Sequence, residues 1–347
     1  MDAPLPHGTN PPSVHFWGID IGGTEIKIGL MDAVGQTLLQ TSVPTNAADG
    51  PEAALDRITN LITQWETSNP ELGSAVAIGI GAPGPMDLRA GTLVEPPQLP
   101  SWKNYAIVEE MRRRTKRPIS FQNDANAAAY GEFWLGSGQT DRSMLLLTLG
   151  TGVGGGIVVE GELVNGTNSF AGEVGHTIVN PSPDARRCIW GGGRGQLEAY
   201  GSASAVSMIA TERLRQGAKS CLQTHLSGSE SVVSAKQVYQ AALTGDEFSL
   251  NLVDETAKWL GIGVTSLVHT LDPGSVVLGG AMNFGGENCR IGIRFLNAIV
   301  EEFRQHTFDS VFAGTSIKFA RLGPAAGYLG AAGYARKEYN ASIESQT

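Results

Sequence analysis

The strongest constraint on the fold is a pattern that the chain states twice. Phe16–Leu30 is an apolar strand running into Asp20-Ile-Gly-Gly-Thr24 and out into a second apolar strand. At Arg142 the pattern restarts: Ser143–Glu160 (SMLLLTLGTGVGGGIVVE) runs from a strand into Thr148-Leu-Gly-Thr-Gly152 and out again. Two apolar runs around a glycine turn read as a hairpin. Repetition at this distance reads as internal duplication at domain scale. Length agrees: 347 residues suggest two domains at ~150 residues each.

Between and after the hairpins, strands and helices alternate, which defines an α/β chain. Thr37–Val43 reads as a third strand and Pro51–Trp65 as a helix with Ala54, Leu55, Ile58, Leu61 and Ile62 at helical spacing. Ala75–Gly81 is a buried strand, Gly91–Trp102 an irregular loop and Tyr105–Lys116 a helix whose basic end complements the helix dipole. Further on, the patterns predict helices over Glu198–Gln216, Ser234–Leu243, Phe248–Leu271 and Asn288–Phe303, a polar loop over Gln216–Ser231, strands at Ser275–Leu278 and Ser316–Ala320, and a last helix over 325–339. The expected organisation is a tail at 1–13, a small amino-terminal lobe at 14–125 with the last helix packed back on it, and a larger lobe at 126–324.

Composition narrows the function. The net charge of -9 disfavours a nucleic-acid surface, which needs a basic stripe, and an anionic membrane surface. No stretch approaches the ~18 apolar residues of a membrane span. Residues 1–12 hold four prolines and no apolar run, which reads as a disordered tail and not a signal peptide. Three scattered cysteines, Cys188, Cys221 and Cys289, form no disulfide framework and suit a reducing cytoplasm.

The 45 glycines are about twice the usual ~7% and cluster in turns. Gly22, Gly23 and Thr24 would expose backbone N–H groups of the kind that cradle phosphate oxygens. Asp20, just before them, is placed to hold magnesium through water. Lys27 either points at a phosphate or sits on an exposed strand. Gly150, Thr151, Gly152 and Gly154 form a second such turn, and Gly279, Gly280 and Ala281 a third. The single GxxxxGK[ST] loop is absent. Pro118–Glu132 (PISFQNDANAAAYGE) places Asn123 and Asp124 where a strand meets a helix, at the carboxyl edge of a sheet, where open α/β sheets bind ligands. Asp also caps helices well, and either role suits this stretch alone.

Seven stretches, GIDIGGTEIK, GIGAPGPMD, QNDANAAAYGE, TLGTGVGGGIV, AGEVGH, VVLGG and GYLGAAGYA, resemble the ROK family of sugar kinases, closest to its glucokinase branch. The resemblance runs from about Trp17 to Tyr334. It implies the ribonuclease-H-like (actin/hexokinase-type) duplicated fold, with two lobes and a cleft between. It also implies an ATP-dependent hexose kinase using Mg2+, often a homodimer. By the same resemblance Asp20, Gly22, Gly23, Thr24 and Lys27 match one phosphate loop, Thr151, Gly152 and Gly154 the other, and Gly279 and Gly280 flank the adenosine. Gly84, Asn123, Asp124, Glu173, His176 and Glu198 match the sugar-binding set, with Asp124 as general base. Carboxylates suit a sugar because each accepts from two hydroxyls.

One stretch departs from the family. The usual pattern is a histidine followed by CxCGxxGCxE around structural zinc. Here His176 and Cys188 are present, but Trp190 and Gln196 stand where further cysteines belong, and one extra residue precedes Glu198. The expectation is a loop without zinc, held by packing of Trp190 and by glycine turns. Other readings remain: a kinase for fructose, mannose or N-acetylmannosamine, a sugar-responsive repressor of the same fold, or a non-catalytic sugar-binding module. A repressor would carry a helix-turn-helix ahead of the first hairpin, where only about a dozen residues stand, and a binding module would be expected to lose the base or a phosphate loop.

Overall fold

The computed structural model describes residues 14–189, 192–226, 228 and 231–345. The expectations for residues 1–13 and for Trp190 fall outside them. The chain divides into two units: one runs up to Ala127 and resumes at Gly327, and the other is Ala128–Ala326.

In the first unit, β1 (His15–Ile21), β2 (Glu25–Asp32) and β3 (Thr37–Pro44) form a meander. Helix α1 (Pro51–Ser68) follows and leads to β4 (Ala77–Ala82). After it comes a two-stranded ribbon, β5 (Met86–Asp87) with β6 (Thr92–Leu93), the second of which falls in the Gly91–Trp102 stretch read as an irregular loop. These strands are two residues each, too short to leave an alternating pattern. Then come α2 (Ile107–Thr115), β7 (Ile119–Asn123) and α3 (Asp124–Leu135). The sheet order is β3-β2-β1-β4-β7, with β1, β4 and β7 parallel. Trp17, Ile19, Ile21, Ile78, Ile80 and Trp102 form its core. Burying each such side chain stabilises the fold by about 1.5–3 kcal/mol.

The second unit repeats the plan. Strands β8 (Met144–Leu149), β9 (Val153–Val159) and β10 (Glu162–Leu163) form the meander. Four helices follow: α4 (Glu198–Gly201), α5 (Ala203–Arg215), α6 (Ala235–Leu243) and α7 (Glu247–Leu271). Next are β11 (Ser275–Gly279), α8 (Arg290–Gln305), α9 (Asp309–Gly314) and β12 (Ser316–Phe319). The order β10-β9-β8-β11-β12 matches the first sheet strand for strand, with β8, β11 and β12 parallel. The expected single helix over Glu198–Gln216 is two helices. The Ser202 side chain accepts from Ala205 N at 3.1 Å, a cap worth about 1 kcal/mol, and restarts the helix after Gly201. The polar Gln216–Ser231 loop contains a 3₁₀ turn at Cys221–His225.

The last helix, α10 (Ala326–Glu344), lies against the first sheet. A Cβ on Gly18 would sit 1.9 Å from the Tyr328 carbonyl oxygen, and one on Gly79 1.8 Å from that of Ala331. Glycine in the middle strands lets the helix backbone touch the sheet.

Candidate active site

In the first unit the parallel strands end together. Asp20 pairs with Gly81 across β1 and β4, and Ala82 with Asn123 across β4 and β7. Asp20, Gly84 and Asn123-Asp124 therefore gather at the carboxyl edge of one sheet, and an added Cβ on Gly84 would lie 3.5 Å from Asn123 Nδ2. Both side chains at the junction bond to the start of α3. Asn123 Oδ1 accepts from Ala125 N at 2.9 Å and from Asn126 N at 3.4 Å, so Asn123 is the cap. Asp124 stands on the first turn of α3, its Oδ1 accepting from Ala125 N at 2.8 Å.

The turn after Asp20 differs in detail from expectation. Gly22 N–H closes the turn on the Glu25 carbonyl at 2.9 Å, and Thr45 Oγ1 donates to the Gly22 carbonyl at 2.7 Å. Gly22 N–H is thereby used within the turn, and Gly23 and Thr24 are exposed. Lys27 lies opposite Asp20 in the β1–β2 register. Burial pushes the Asp20 carboxyl above its ordinary pKa, and the Lys27 charge works against that rise. The start of α10 closes over this carboxylate: a Cβ on Gly327 would fall 2.4 Å from Asp20 Oδ2. Asp20 offers hard oxygen donors beside the phosphate turn, which fits magnesium.

In the second unit the other two glycine turns lie side by side. Gly150 N–H closes on Gly152 at 3.0 Å, leaving Thr151 exposed at the tip. Gly280 has φ 90°, and a Cβ there would lie 2.2 Å from the Leu149 carbonyl oxygen. Met282 N–H donates to that same oxygen at 2.9 Å. Gly279 pairs with Thr148, so Gly279-Gly280 and Thr151-Gly152-Gly154 border one edge.

Glu173 precedes and His176 ends a 3₁₀ turn, Val174–His176, seated on β9. A Cβ on Gly175 would come 2.0 Å from the Val153 carbonyl oxygen. His176 Nε2 lies 3.8 Å from Glu173 Oε2, and both side chains are open to solvent. Glu198 reaches the same strand from the far side of a long loop. Leu197 N–H donates to Thr177 O at 2.9 Å, and Val179 N–H to Gly195 O at 2.8 Å. The Glu198 carboxylate is buried, 6% exposed. Its Oε2 accepts from Val153 N at 2.9 Å and its Oε1 from Cys188 Sγ at 2.7 Å. No sequence signal announced the Cys188–Glu198 contact; the family's spacing marks Cys188 as a metal ligand. Among the described residues no three His, Cys, Asp or Glu side chains gather as a metal-binding group.

Two sheets of one order, each with a glycine turn between its first two strands, define the class: a duplicated α/β protein of the ribonuclease-H-like, actin/hexokinase type. The chain belongs to the ROK family, whose sequence model matches residues 16–338. It is 34% identical over 331 residues to a glucokinase of Halalkalibacterium halodurans, covering 95% of this chain and 97% of that one. It is 30% identical over 314 residues to a xylose repressor of Caldicellulosiruptor bescii, covering 90% and 76%. Among solved structures, a ROK hexokinase from Thermus thermophilus superposes with a TM-score of 0.80 at 32% identity, covering 94% of this chain and all of that one. A ROK family glucokinase from Streptomyces griseus, in complex with glucose and AMPPNP, gives 0.68 at 30% identity, covering 93% and 99%.

Proposed function

We propose that this protein is an ATP-dependent hexose kinase, a glucokinase that converts ATP and D-glucose to ADP and glucose 6-phosphate. The observation that carries the reading is the carboxyl edge of the first sheet. Asp124 stands there on the first turn of α3, next to the capping Asn123 and with Gly84 nearby, on the same edge as Asp20 and the exposed Gly23-Thr24 turn. The glucokinase and hexokinase relatives, matched over nearly their whole length, support it.

A hexose hydroxyl is a poor nucleophile and must lose its proton as it attacks. A carboxylate within ~3 Å supplies general-base help worth ~10²–10⁴-fold, and Asp124 takes that role. Gly84, Asn123 and Asp124, together with Glu173, His176 and Glu198, are the proposed sugar ligands. The turns at Gly22-Gly23-Thr24 and Thr151-Gly152-Gly154 take phosphate oxygens, Lys27 adds charge, and Gly279-Gly280 flank the adenosine. Most of the remaining catalysis in phosphoryl transfer is positioning and charge neutralisation. Magnesium, brought with ATP and held near Asp20, would neutralise charge on the transferring group.

Incubation with ATP, Mg2+ and a panel of glucose, fructose, mannose and N-acetylmannosamine tests the reading: glucose is expected to be phosphorylated fastest. Faster turnover of another hexose changes the named substrate and keeps the kinase. The repressor relative favours a second reading, a sugar-responsive regulator. Hexose binding with no phosphoryl transfer to any of the panel would select it.

A further inference from the structure

We infer that Cys188 is a positioning residue for the sugar site: its thiol holds the Glu198 carboxylate in place, in a loop that needs no metal to do so. The inference rests on Glu198 being a sugar ligand, as proposed above.

The carboxylate has two oxygens and each has a donor. Val153 N–H, the first amide of β9 after the Gly150-Thr151-Gly152 turn, holds Oε2. Cys188 Sγ holds Oε1. A carboxylate carries about four acceptor sites, so one donor on each oxygen orients the group and leaves capacity for sugar hydroxyls. Glu198 also lines a small, water-sized recess with Arg186, Arg187, Ile189 and Ser202. With only the Val153 bond, the side chain would keep torsional freedom about that single contact.

The residues around Cys188 do not make a zinc site. A structural zinc takes four Cys or His ligands at ~2.0–2.3 Å. The Cys188 sulfur lies against Glu198 Oε1, and among the described residues no three His, Cys, Asp or Glu side chains gather as a metal-binding group. Gln196, where the family has cysteine, is buried with its amide against Gly192, and a carboxamide is a poor ligand for such a site. Direct bonds shape the loop instead. Gly195 N–H donates to Arg186 O at 2.8 Å and Cys188 N–H to Gly193 O at 3.4 Å. Tyr200 Oη accepts from Arg186 N at 3.0 Å and from Asn180 Nδ2 at 2.9 Å. Arg186 closes a two-pronged pair with Glu212, at 2.8 and 2.9 Å. Among the described residues, bonds within the chain shape the loop that carries Cys188 to Glu198.

The test compares Cys188→Ala, which deletes the donor, with Cys188→Ser, which keeps an O–H donor. Zinc content, hexose calorimetry, thermal stability and separate KM values for hexose and ATP are measured for each. Cys188→Ala is expected to weaken hexose KM and Kd about tenfold, the loss of one hydrogen bond to a charged group. The ATP KM and kcat should stay within about twofold. Cys188→Ser should recover hexose affinity to within about threefold of wild type, and the wild type should carry well under one zinc per chain. Unchanged hexose affinity in Cys188→Ala overturns the proposal. So does stoichiometric zinc in the wild type that both variants lose, or an equal fall of hexose affinity, ATP KM and thermal stability in both variants. A wild type that binds hexose without phosphorylating it sinks the kinase reading alone, because the variants' Kd values still decide the role of Cys188. A wild type that binds no hexose overturns both.

Discussion

The β1–β2 and β8–β9 hairpins share a frame and differ in charge. In the first, Asp20 faces Lys27 across the strands and a parallel strand places Gly81 beside it. In the second, the equivalent position is Thr148, which faces Gly154 and has Gly279 alongside. The first edge thus carries opposite charges on facing positions next to its turn, and the second presents backbone amides with no charged side chain at the matching place. Where the second unit needs a carboxylate, it brings Glu198 from 45 residues beyond Val153 and bonds it to that strand. Duplication conserved the hydrogen-bonded frame. Side chains that do not build the frame were free to diverge, and a buried charge costs too much to keep where it does no work.

The comparison breaks first at the acid on the charged edge. Asp124→Asn preserves shape and removes the proton acceptor. It is expected to lower kcat at least about 10²-fold while hexose Kd shifts only a few-fold. Near-normal turnover, measured by coupled assay beside calorimetry, would remove Asp124 from the base role and leave Asp20 and Lys27 as the difference between the two edges.

Asp20→Asn sharpens the contrast. Loss of its charge should reduce kcat by about 30-fold, with a higher magnesium requirement. Stability should move the other way. Burial raises the Asp20 pKa in the folded state, so the folded protein holds this proton more tightly than the unfolded chain does. The stabilisation is therefore complete below the unfolded pKa and is lost as pH rises through the folded one. At neutral pH the wild type bears a buried charge that Asn does not. The variant's Tm should rise by about 2 °C at pH 7, and the gain should vanish on acidification below the Asp20 pKa. A lower Tm at pH 7 would mean that the Lys27 attraction outweighs burial.

The smallest effect comes from giving the second hairpin the first one's acid. Thr148→Asp would place a carboxylate at a half-buried site opposite a glycine, with no lysine across the strand. Tm should fall by about 2 °C and hexose KM should hold within about twofold. An unchanged Tm would show that the matching positions are equally tolerant of charge.

Much of this was legible in the chain. The repeat of Asp20-Ile-Gly-Gly-Thr24 in Thr148-Leu-Gly-Thr-Gly152 announced a duplication, and the sheets have one strand order. Hairpins are written in local periodicity and turn chemistry, which neighbours in sequence decide. The strand–helix junction at Asn123-Asp124 was equally local. Three things were not legible. Which residue caps α3 depends on whose side chain reaches past Ala125 N to Asn126 N, and Asn123 and Asp124 are both competent by type. Which turn amides stay open depends on the tie from Thr45 to Gly22, 23 residues away. The partner of Glu198 depends on how a loop folds between β9 and α4: the same Cys188 would be a metal ligand if cysteines stood at Trp190 and Gln196, and with them absent its thiol meets a carboxylate instead. Periodicity and glycine placement determine the frame because they act within a turn or a strand. The donors that orient a buried side chain come from wherever the tertiary structure brings backbone and thiol within 3 Å, and no local pattern records that.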